Sequence, residues 1–227
     1  MALLGAGAII IWNDITPEGR DGFYDWHLNE HIPERLAIPG FLRGSRYIAA
    51  APDTRPEFLT LYEIADAAVA TSAPYLGRLE APTAWTKRAT AHFRNTSRAL
   101  TRAVASYGPG SGGVVGTLRL DGSNEGQAAL AKLHHHLDRF DGIARMPRVS
   151  GAHLCMTNVE ASTARTAESR ERADILSAPI GAVLIEGCDV ATVSGALVAL
   201  TSGIGIKDVS AHAGVYRLEH QLIAPRR

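Results

Sequence analysis

Two histidines that lie four residues apart are the residues best suited to chemistry in this sequence. His27 and His31 occur in the segment DWHLNEHIPERLAIPGFLRGSRY, residues 25–47, where Trp26 precedes the first of them. Imidazoles at this spacing lie on one side of a helix. There they can share a metal ion, exchange protons near neutral pH, or pack in the core with their ring nitrogens hydrogen-bonded. The segment therefore allows three interpretations.

The neighbouring residues disfavour only one of these interpretations. At about 100° per residue, both histidines fall on the apolar face of the predicted helix. A metalloprotease-type helix has Glu directly after its first histidine, and this chain has Leu28 there, so no metal site is predicted. Core packing and acid–base catalysis both stay open. For catalysis His31 is the stronger candidate, with His27 as its helper, because His31 lies where the helix is expected to end, near Ile32 before a proline.

Several other side chains are candidates for binding a ligand. Tyr47, Tyr62 and Glu63 lie on predicted strands that are expected to wall a pocket near the histidines. His92 directly precedes a closing strand, where either a structural or a pocket-lining role is open. His220 lies on the last strand and shares the apolar parity of Tyr216, Leu218 and Leu222, which makes it a candidate pocket residue of the second half. Trp26 is expected to contribute an aromatic wall.

Composition excludes several classes of protein. The 227 residues carry equal numbers of basic and acidic side chains, so nothing predicts a nucleic-acid partner. No apolar run approaches the ~20 residues that a membrane helix needs, so no membrane partner is expected. The first apolar run has no basic residues before it and ends at Asn13, which is typical of a buried strand. With only two cysteines, we expect a cytoplasmic protein.

The predicted elements repeat in the same order on either side of GPGSGG, residues 108–113. This segment lacks the Lys-Ser/Thr of a phosphate-binding loop and is interpreted as a linker. The chain is thus divided into a first unit (1–107), the linker (108–113) and a second unit (114–227). The expected elements are strands at 6–15, 44–51, 56–66, 98–107, 112–122, 150–160, 179–190 and 211–225, helices at 16–32, 68–90 (broken at Pro74 and Pro82), 124–140 (capped by Asn124) and 191–203, and a loop at 161–177.

The order β-α-β-β-α-β in each half predicts two tandem ferredoxin-like units and an α+β fold class. Helices cover one face of such a sheet and leave the other bare. The strand at 56–66 is apolar on both faces, with Phe58 and Tyr62 on one side and Leu59 and Leu61 on the other. Such a sheet requires a second sheet. The two units are therefore expected to pair their sheets into a barrel.

The segment EHIPERLAIPGFLRGSRY resembles the dimeric α/β-barrel superfamily, and within it the EthD-like branch. Most members pair two copies of one ferredoxin-like chain, so this chain resembles a fused duplicate that builds an α/β barrel internally. His31 matches the histidine of the family's EH-x-P element. When the two halves are aligned, Arg139 occupies the position that corresponds to His31, and His135 occupies the position that corresponds to His27. The resemblance therefore implies a ligand pocket in the first half and a structural role for the second.

The resemblance implies a class of function and leaves alternatives open. It implies an enzyme without a cofactor, an isomerase, cyclase or monooxygenase of a small hydrophobic oxygenated molecule, in which His31 moves a proton with help from His27. In this interpretation Tyr47, Tyr62 and apolar walls hold the ligand. The alternatives are a non-enzymatic binding or stress-associated protein, and a haem-binding barrel in which a histidine ligates iron. A homo-oligomer is expected, associating through helical surfaces.

Overall fold

The computed structural model describes residues 3–170, 174–204, 206 and 212–225. Its strands are β1 (Gly7–Ile15), β2 (Phe41–Ala49), β3 (Phe58–Ile64), β4 (Phe93–Tyr107), β5 (Val114–Leu120), β6 (Val149–Thr157), β7 (Gly181–Gly187) and β8 (Ala213–Ile223). Its helices are α1 (Arg20–Trp26), α2 (Ile32–Leu36), α3 (Ala73–Glu80), α4 (Ala84–Thr90), α5 (Asn124–His135), α6 (Asp138–Ala144), α7 (Val159–Thr163) and α8 (Val190–Ser202).

The strands form one closed antiparallel barrel in the order β1-β3-β2-β8-β5-β7-β6-β4, with β4 returning to β1. The first four strands lie in the order β4-β1-β3-β2 and the last four in the order β8-β5-β7-β6, so the two halves repeat one arrangement. They meet at two seams, where β2 pairs with β8 and β4 pairs with β6. The fold class is α+β, with a closed eight-stranded barrel among the described residues.

Large side chains fill the inside of the barrel. Trp12, Leu61, Tyr47 and Tyr216 belong to one buried cluster drawn from strands of both halves. The Trp12 indole N–H donates to Thr117 Oγ1 at 3.2 Å, so even the polar edge of this large ring is satisfied inside the barrel. The predicted pairing of two apolar sheet faces is thus realised as a packed interior.

Helices cover the outside of the barrel in two separate layers. The helices from α1 to α4 pack on the outer faces of β1 to β4, where two apolar clusters centre on Ile9 and Phe58. A third cluster forms where α5, α6 and α8 pack on the outer faces of the second-half strands, around Phe140 and Val193. None of the helices in the described part of the chain has the length and apolarity that crossing a membrane requires.

The first helical segment is longer than predicted and contains a wider turn. It begins with a 3₁₀ turn (Pro17–Gly19), continues as α1, widens into a π-helical turn (His27–His31) and ends as α2. The expected end near Ile32 is therefore wrong. In the π turn the Ile32 N–H donates to the His27 carbonyl five residues back. Pro33 then falls in the first turn of α2, where a missing N–H costs little.

Other sequence-based boundaries also differ from the structure, among them the start of β4, which is at Phe93 and not at residue 98. Ser123, not Asn124, caps α5, because its Oγ accepts from the Gly126 N–H at 3.0 Å. The helix expected at 124–140 is two helices, α5 and α6. The predicted loop at 161–177 overlaps the end of a short helix, α7. Each difference is a local capping or packing choice that hydrophobic periodicity does not specify.

Candidate functional site

A cavity of about 250 Å³ lies between the sheet and the helices of the first half. Its floor is the outer face of β1, β3 and β4, and its sides are the α1–α2 segment and α3. Its cover is the connection from β6 to β7, through residues 162–166, 168–169 and 175–178. The aromatic walls are Trp26, Tyr62, Tyr75 and Phe93. The cavity is thus built mainly by the first half and closed by the second.

His31 lines this cavity from the π-helical turn. The residue is 5% exposed, its ring lies 4.2 Å from the Trp26 ring, and Tyr62 stands edge-on at 6.3 Å. Trp26 is itself held in place, because its indole N–H donates to Thr86 Oγ1 at 3.2 Å. The structure therefore brings Trp26, His31 and Tyr62 together, three of the residues predicted from the sequence.

Two hydroxyl groups in the cavity are buried and unsatisfied. Tyr62 Oη and Thr96 Oγ1 have no hydrogen-bond partner within the described ranges, and both residues line the cavity. Burial raises the pKa of Tyr62 above its usual value, so the phenol stays protonated and can donate. Buried polar groups are nearly always paired in folded proteins. These two hydroxyls are therefore placed to bind oxygen atoms of a ligand.

Arg35 also lines the cavity, and its charge is compensated. Its side chain is 3% exposed and forms ion pairs with Glu168 from the β6–β7 connection and with Glu34 from α2. The Glu168 N–H also donates to the Leu79 carbonyl at 2.9 Å. Arg35 thus joins the cover of the cavity to its helical wall.

His27 lies beside the cavity but does not line it. Its ring stacks between Phe23, at 5.0 Å, and His31, at 5.5 Å. Burial, and then the nearby charges of Arg46 and His220, lower the pKa of His27 well below its usual value. His27 is consequently neutral near pH 7 and supports His31 by packing.

His220 lies outside the barrel near first-half residues, and it does not share the face of Leu218 as the sequence predicts. It pairs across the seam with Arg46, whereas Leu218 pairs with Tyr47, so Glu219 is an extra residue in the strand. Such a bulge reverses the side-chain alternation beyond it. His220 therefore joins Arg46 near His27, and burial lowers its pKa.

Tyr47 and Glu63 face the inside of the barrel, on the opposite side of the sheet from the cavity. Tyr47 belongs to the interior cluster. Adjacent residues of a strand point to opposite faces, so Glu63 must face inward when Tyr62 faces outward. Glu63 there pairs with Arg43 and accepts from the Leu4 N–H at 2.7 Å. Neither residue lines the cavity, in contrast to the expectation from the sequence.

His92 is also outside the cavity. It lies between α4 and β4, where its Nδ1 is 2.9 Å from Thr16 Oγ1. This contact ties the start of the first helical segment to the start of β4. His92 thus has a clear structural partner in the described structure.

The second half differs at the matching positions. Arg139 and His135 are exposed at the surface. The outer face of the second-half sheet is filled by helix side chains such as Leu133, Phe140 and Val193. Among the described residues no group of three or more His, Cys, Asp or Glu side chains is arranged to hold a metal ion.

Sequence reasoning missed Thr96, Arg35, Arg98 and the cover formed by the β6–β7 connection. The polar run after β6 has no periodicity, and only its contacts show where it lies. Thr96 N donates to the Asp174 carbonyl at 3.1 Å, and Leu176 N donates to the Thr96 carbonyl at 2.8 Å. No local signal in the sequence points to this long-range pairing.

Comparison with known proteins shows similarity in structure only. No family model and no curated protein matches the chain. An anthrone oxidase-like protein superposes with a TM-score of 0.61 at 10% identity, over 100% of this chain and 97% of the other. A candidate monooxygenase of Lactobacillus acidophilus gives 0.50 at 10% identity, over 96% and 99%. A haem-binding protein of Thermus thermophilus gives 0.47 at 9% identity, over 96% and 92%, too low to support an argument.

At such low identity these similarities concern the fold alone. The structural neighbours belong to the dimeric α/β-barrel superfamily. The chain has the dimeric α/β-barrel fold.

Proposed function

We propose that the cavity binds a small, largely hydrophobic molecule that carries a carbonyl group, and that His31 exchanges a proton with it. One observation carries the proposal: an imidazole and two unsatisfied buried hydroxyls, of Tyr62 and Thr96, line one aromatic-walled cavity. Apolar walls with a few converging polar groups are typical of ligand sites. The apolar walls favour a hydrophobic ligand, and the two hydroxyls favour one that carries a carbonyl oxygen.

The arrangement suits removal of a proton from the carbon next to a carbonyl. Tyr62 Oη donates a hydrogen bond to the carbonyl oxygen, and His31 accepts the proton from the adjacent carbon. The resulting enolate oxygen is stabilised by the same phenol, because a hydrogen bond to a charged oxygen is stronger than one to a neutral carbonyl. His27 acts as a positioning residue that packs against His31.

This step is common to the three reactions considered from the sequence. Isomerisation returns the proton to another carbon, cyclisation joins the enolate to a second carbonyl, and monooxygenation lets the enolate react with dioxygen. None of the three requires a bound cofactor for the proton transfer itself. The anthrone oxidase-like neighbour is named for a ketone with an acidic methylene group, which agrees with this substrate class.

Haem does not fit this cavity. Drug-sized ligands occupy pockets of roughly 300–1,000 Å³, and the cavity here is about 250 Å³. The His31 ring is also packed against Trp26 at 4.2 Å, which leaves no space on that side for a porphyrin. We therefore assign the cavity a smaller ligand.

We also propose that the chain is a fused duplicate of two ferredoxin-like units, 1–107 and 114–227, joined by residues 108–113, and that it derives from the EthD-like branch. The repeated strand order supports the duplication, and the EH-x-P element at Glu30 to Pro33 supports the branch. Self-association through helical surfaces is proposed as well, since Leu28, Leu76 and Val198 are exposed there. Sedimentation velocity would measure it.

The proposed proton transfer is tested with phenylacetone in deuterated buffer. NMR follows loss of its methylene protons, with and without protein. Wild type should accelerate the exchange, and His31→Ala should remove the acceleration. His135→Ala, at an exposed position of α5, is the matched control and should behave as wild type.

A parallel titration by calorimetry separates catalysis from binding. Binding of phenylacetone without faster exchange would favour the non-enzymatic binding protein. Acceleration that survives in His31→Ala would remove His31 from the proposed role. If phenylacetone neither binds nor exchanges, the proposed function is wrong for this ligand class.

A further inference from the structure

Arg98 presents a positive charge to the cavity from the sheet. It lies on the outer face of β4, opposite Ile11 of β1, and both residues line the cavity. The residue is partly buried. One guanidinium nitrogen, Nη2, donates to the Ser162 carbonyl at 3.2 Å. The position of this cation therefore depends on α7, which belongs to the second half of the chain.

The segment that holds Arg98 is itself rigidly attached. Ser162 Oγ accepts from the Leu100 N–H at 2.9 Å and donates to the Asn158 carbonyl at 2.6 Å. Ser162 is 8% exposed. The guanidinium is thus fixed between β4 and α7 before any ligand binds.

Arg98 has little compensation for its charge. A guanidinium carries five N–H donors, and the Ser162 carbonyl is the one acceptor that Arg98 meets within the described residues. In those residues no carboxylate lies within ion-pair distance of it. Arg35, in the same cavity, pairs with both Glu34 and Glu168. Since a partly buried charge is costly unless paired, Arg98 lacks a counter-ion that a ligand can supply.

The cavity as a whole favours an anion. Arg35 of the cavity lining is compensated by Glu34 and Glu168, whereas Arg98 has no carboxylate within ion-pair distance among the described residues. A ligand with one negative charge therefore complements the lining better than a neutral or cationic one.

The cavity has two polar ends, Tyr62 on β3 and Arg98 on β4, and β1 lies between these two strands. Tyr62 and Leu100 both pair with Ile9 of β1, and Arg98 lies two residues along β4 from Leu100. With strands ~4.8 Å apart and ~3.4 Å per residue, the Cα atoms of Tyr62 and Arg98 are about 12 Å apart. Their side chains project into the same cavity, so a small molecule can touch both.

We infer that the ligand of this cavity is a small hydrophobic keto acid, with its carboxylate bound by Arg98 and its carbonyl directed at Tyr62 and His31. This inference rests on the proposed function and adds the substrate class to it. The planar guanidinium can donate two parallel hydrogen bonds to a carboxylate, which a lysine ammonium cannot do. Arg98 is thereby the residue that sets specificity.

The test compares phenylpyruvate with its methyl ester, two compounds that differ in one negative charge. Calorimetry measures the Kd of each for wild type, Arg98→Gln, Arg98→Lys and Arg102→Gln. Arg102 is exposed on the same strand and outside the cavity, so it is the matched control. NMR in deuterated buffer measures exchange of the benzylic protons in the same samples.

Wild type should bind the acid at least ten-fold more tightly than the ester. Arg98→Gln should weaken binding of the acid about 10- to 100-fold, while the Kd of the ester changes less than three-fold. An unchanged Kd of the ester also shows that the cavity stays folded. The affinity of Arg98→Lys for the acid should lie between those of wild type and Arg98→Gln, and the affinity of Arg102→Gln should equal that of wild type.

The outcomes separate this inference from the proposed function. If wild type binds or exchanges the ester but does not prefer the acid, or if Arg98→Gln keeps the preference, the keto-acid inference is overturned and the proposed function stands. If wild type neither binds nor exchanges either compound, both are overturned. A preference for the acid that is lost in Arg102→Gln would assign the carboxylate to another cation and also overturn the inference.

Discussion

At the scale of residues, the site contains buried polar atoms that have no hydrogen-bond partner in the described structure. The hydroxyls of Tyr62 and Thr96 meet no hydrogen-bond partner in the described structure, like those of Ser150 and Thr157 outside the cavity, whereas many other buried hydroxyls are satisfied. The Tyr216 hydroxyl, for example, donates to the buried Pro56 carbonyl at 3.1 Å. Unused buried donors are costly to folding. Their presence in a cavity therefore agrees with a role in binding.

Tyr62→Phe should separate binding from stability. Because the hydroxyl has no partner within the described ranges, its removal should change the free energy of unfolding by less than ~0.5 kcal/mol or increase it. Affinity for a carbonyl ligand should fall about ten-fold. Tyr216→Phe, the matched control, should lose about 1 kcal/mol of stability because it leaves the Pro56 carbonyl unpaired. Urea denaturation and calorimetry measure both effects.

His27 should make the stability depend on pH. Burial, Arg46 and His220 hold its pKa well below 6.5 in the folded chain, whereas the unfolded chain binds a proton near pH 6.5. The stabilisation is therefore fully present above pH 6.5 and is lost as the pH falls below it, with a slope of up to ~1.4 kcal/mol per unit. His27→Gln should show a shallower slope between pH 6.5 and 5 in urea denaturation. An unchanged slope would contradict the assignment.

At the scale of elements, the cavity depends on two segments that come together from opposite halves. The π-helical turn brings His31 to the cavity, and the β6–β7 connection closes it. The pair Arg35–Glu168 links the α1–α2 segment to this connection, and the isolated bridge between Thr96 and Ile175 links it to β4. The cover is thus attached at two sides.

Glu168→Gln should loosen the cover without unfolding the barrel. The change weakens the link to Arg35, while Glu34 still compensates the arginine. Amide hydrogen exchange in the connection from 162 to 178 should accelerate several-fold, and exchange in β5 and β7 should not change. Glu160→Gln, on the exposed side of α7, should leave both regions as in wild type. Equal acceleration in the barrel strands would indicate global destabilisation instead.

At the scale of the whole molecule, charged residues inside the barrel join the two halves. Glu63 of β3 pairs with Arg43, whose Nη1 donates to Ser111 Oγ at 3.1 Å in the linker. From the other half, Glu186 accepts from the Gly112 N–H at 3.1 Å, and its Oε1 lies 3.4 Å from His153 Nε2. Burial raises the pKa of Glu63, with Arg43 opposing the effect and Glu186 adding to it. This end of the barrel depends on paired charges.

Arg43→Met should destabilise the whole fold strongly, because it leaves the carboxylate of Glu63 buried and unpaired. The expected loss is about 3–5 kcal/mol at pH 7, since both residues are almost fully buried. The loss should shrink as the pH falls through the raised pKa of Glu63, because a neutral carboxyl needs no counter-ion. Adding Glu63→Gln should restore most of the stability, as Gln still accepts from Leu4.

Urea denaturation of the single and double variants measures these changes. Arg145→Met, which removes an exposed pair with Asp141 on α6, is the control and should leave stability unchanged within error. If the double variant is no more stable than Arg43→Met, the charge of Glu63 is not the cause of the loss.

The order of the eight strands, and the placement of His31 on an apolar helix face, were predictable from the sequence alone. Both follow from local periodicity: alternation along strands, and a 3.6-residue repeat along helices. Because β3 is apolar on both faces, the sequence also predicted that its sheet packs against a second sheet. These features require only neighbours along the chain.

Tertiary structure alone decided which residues meet at the site. The bulge at Glu219 moves His220 out of the predicted face, and the π turn carries the helix past Pro33. The β6–β7 connection has no periodicity, so its place over the cavity depends on contacts with distant residues such as Thr96 and Arg35. Register, bulges and loop placement are set by packing between distant segments, which local sequence patterns do not encode.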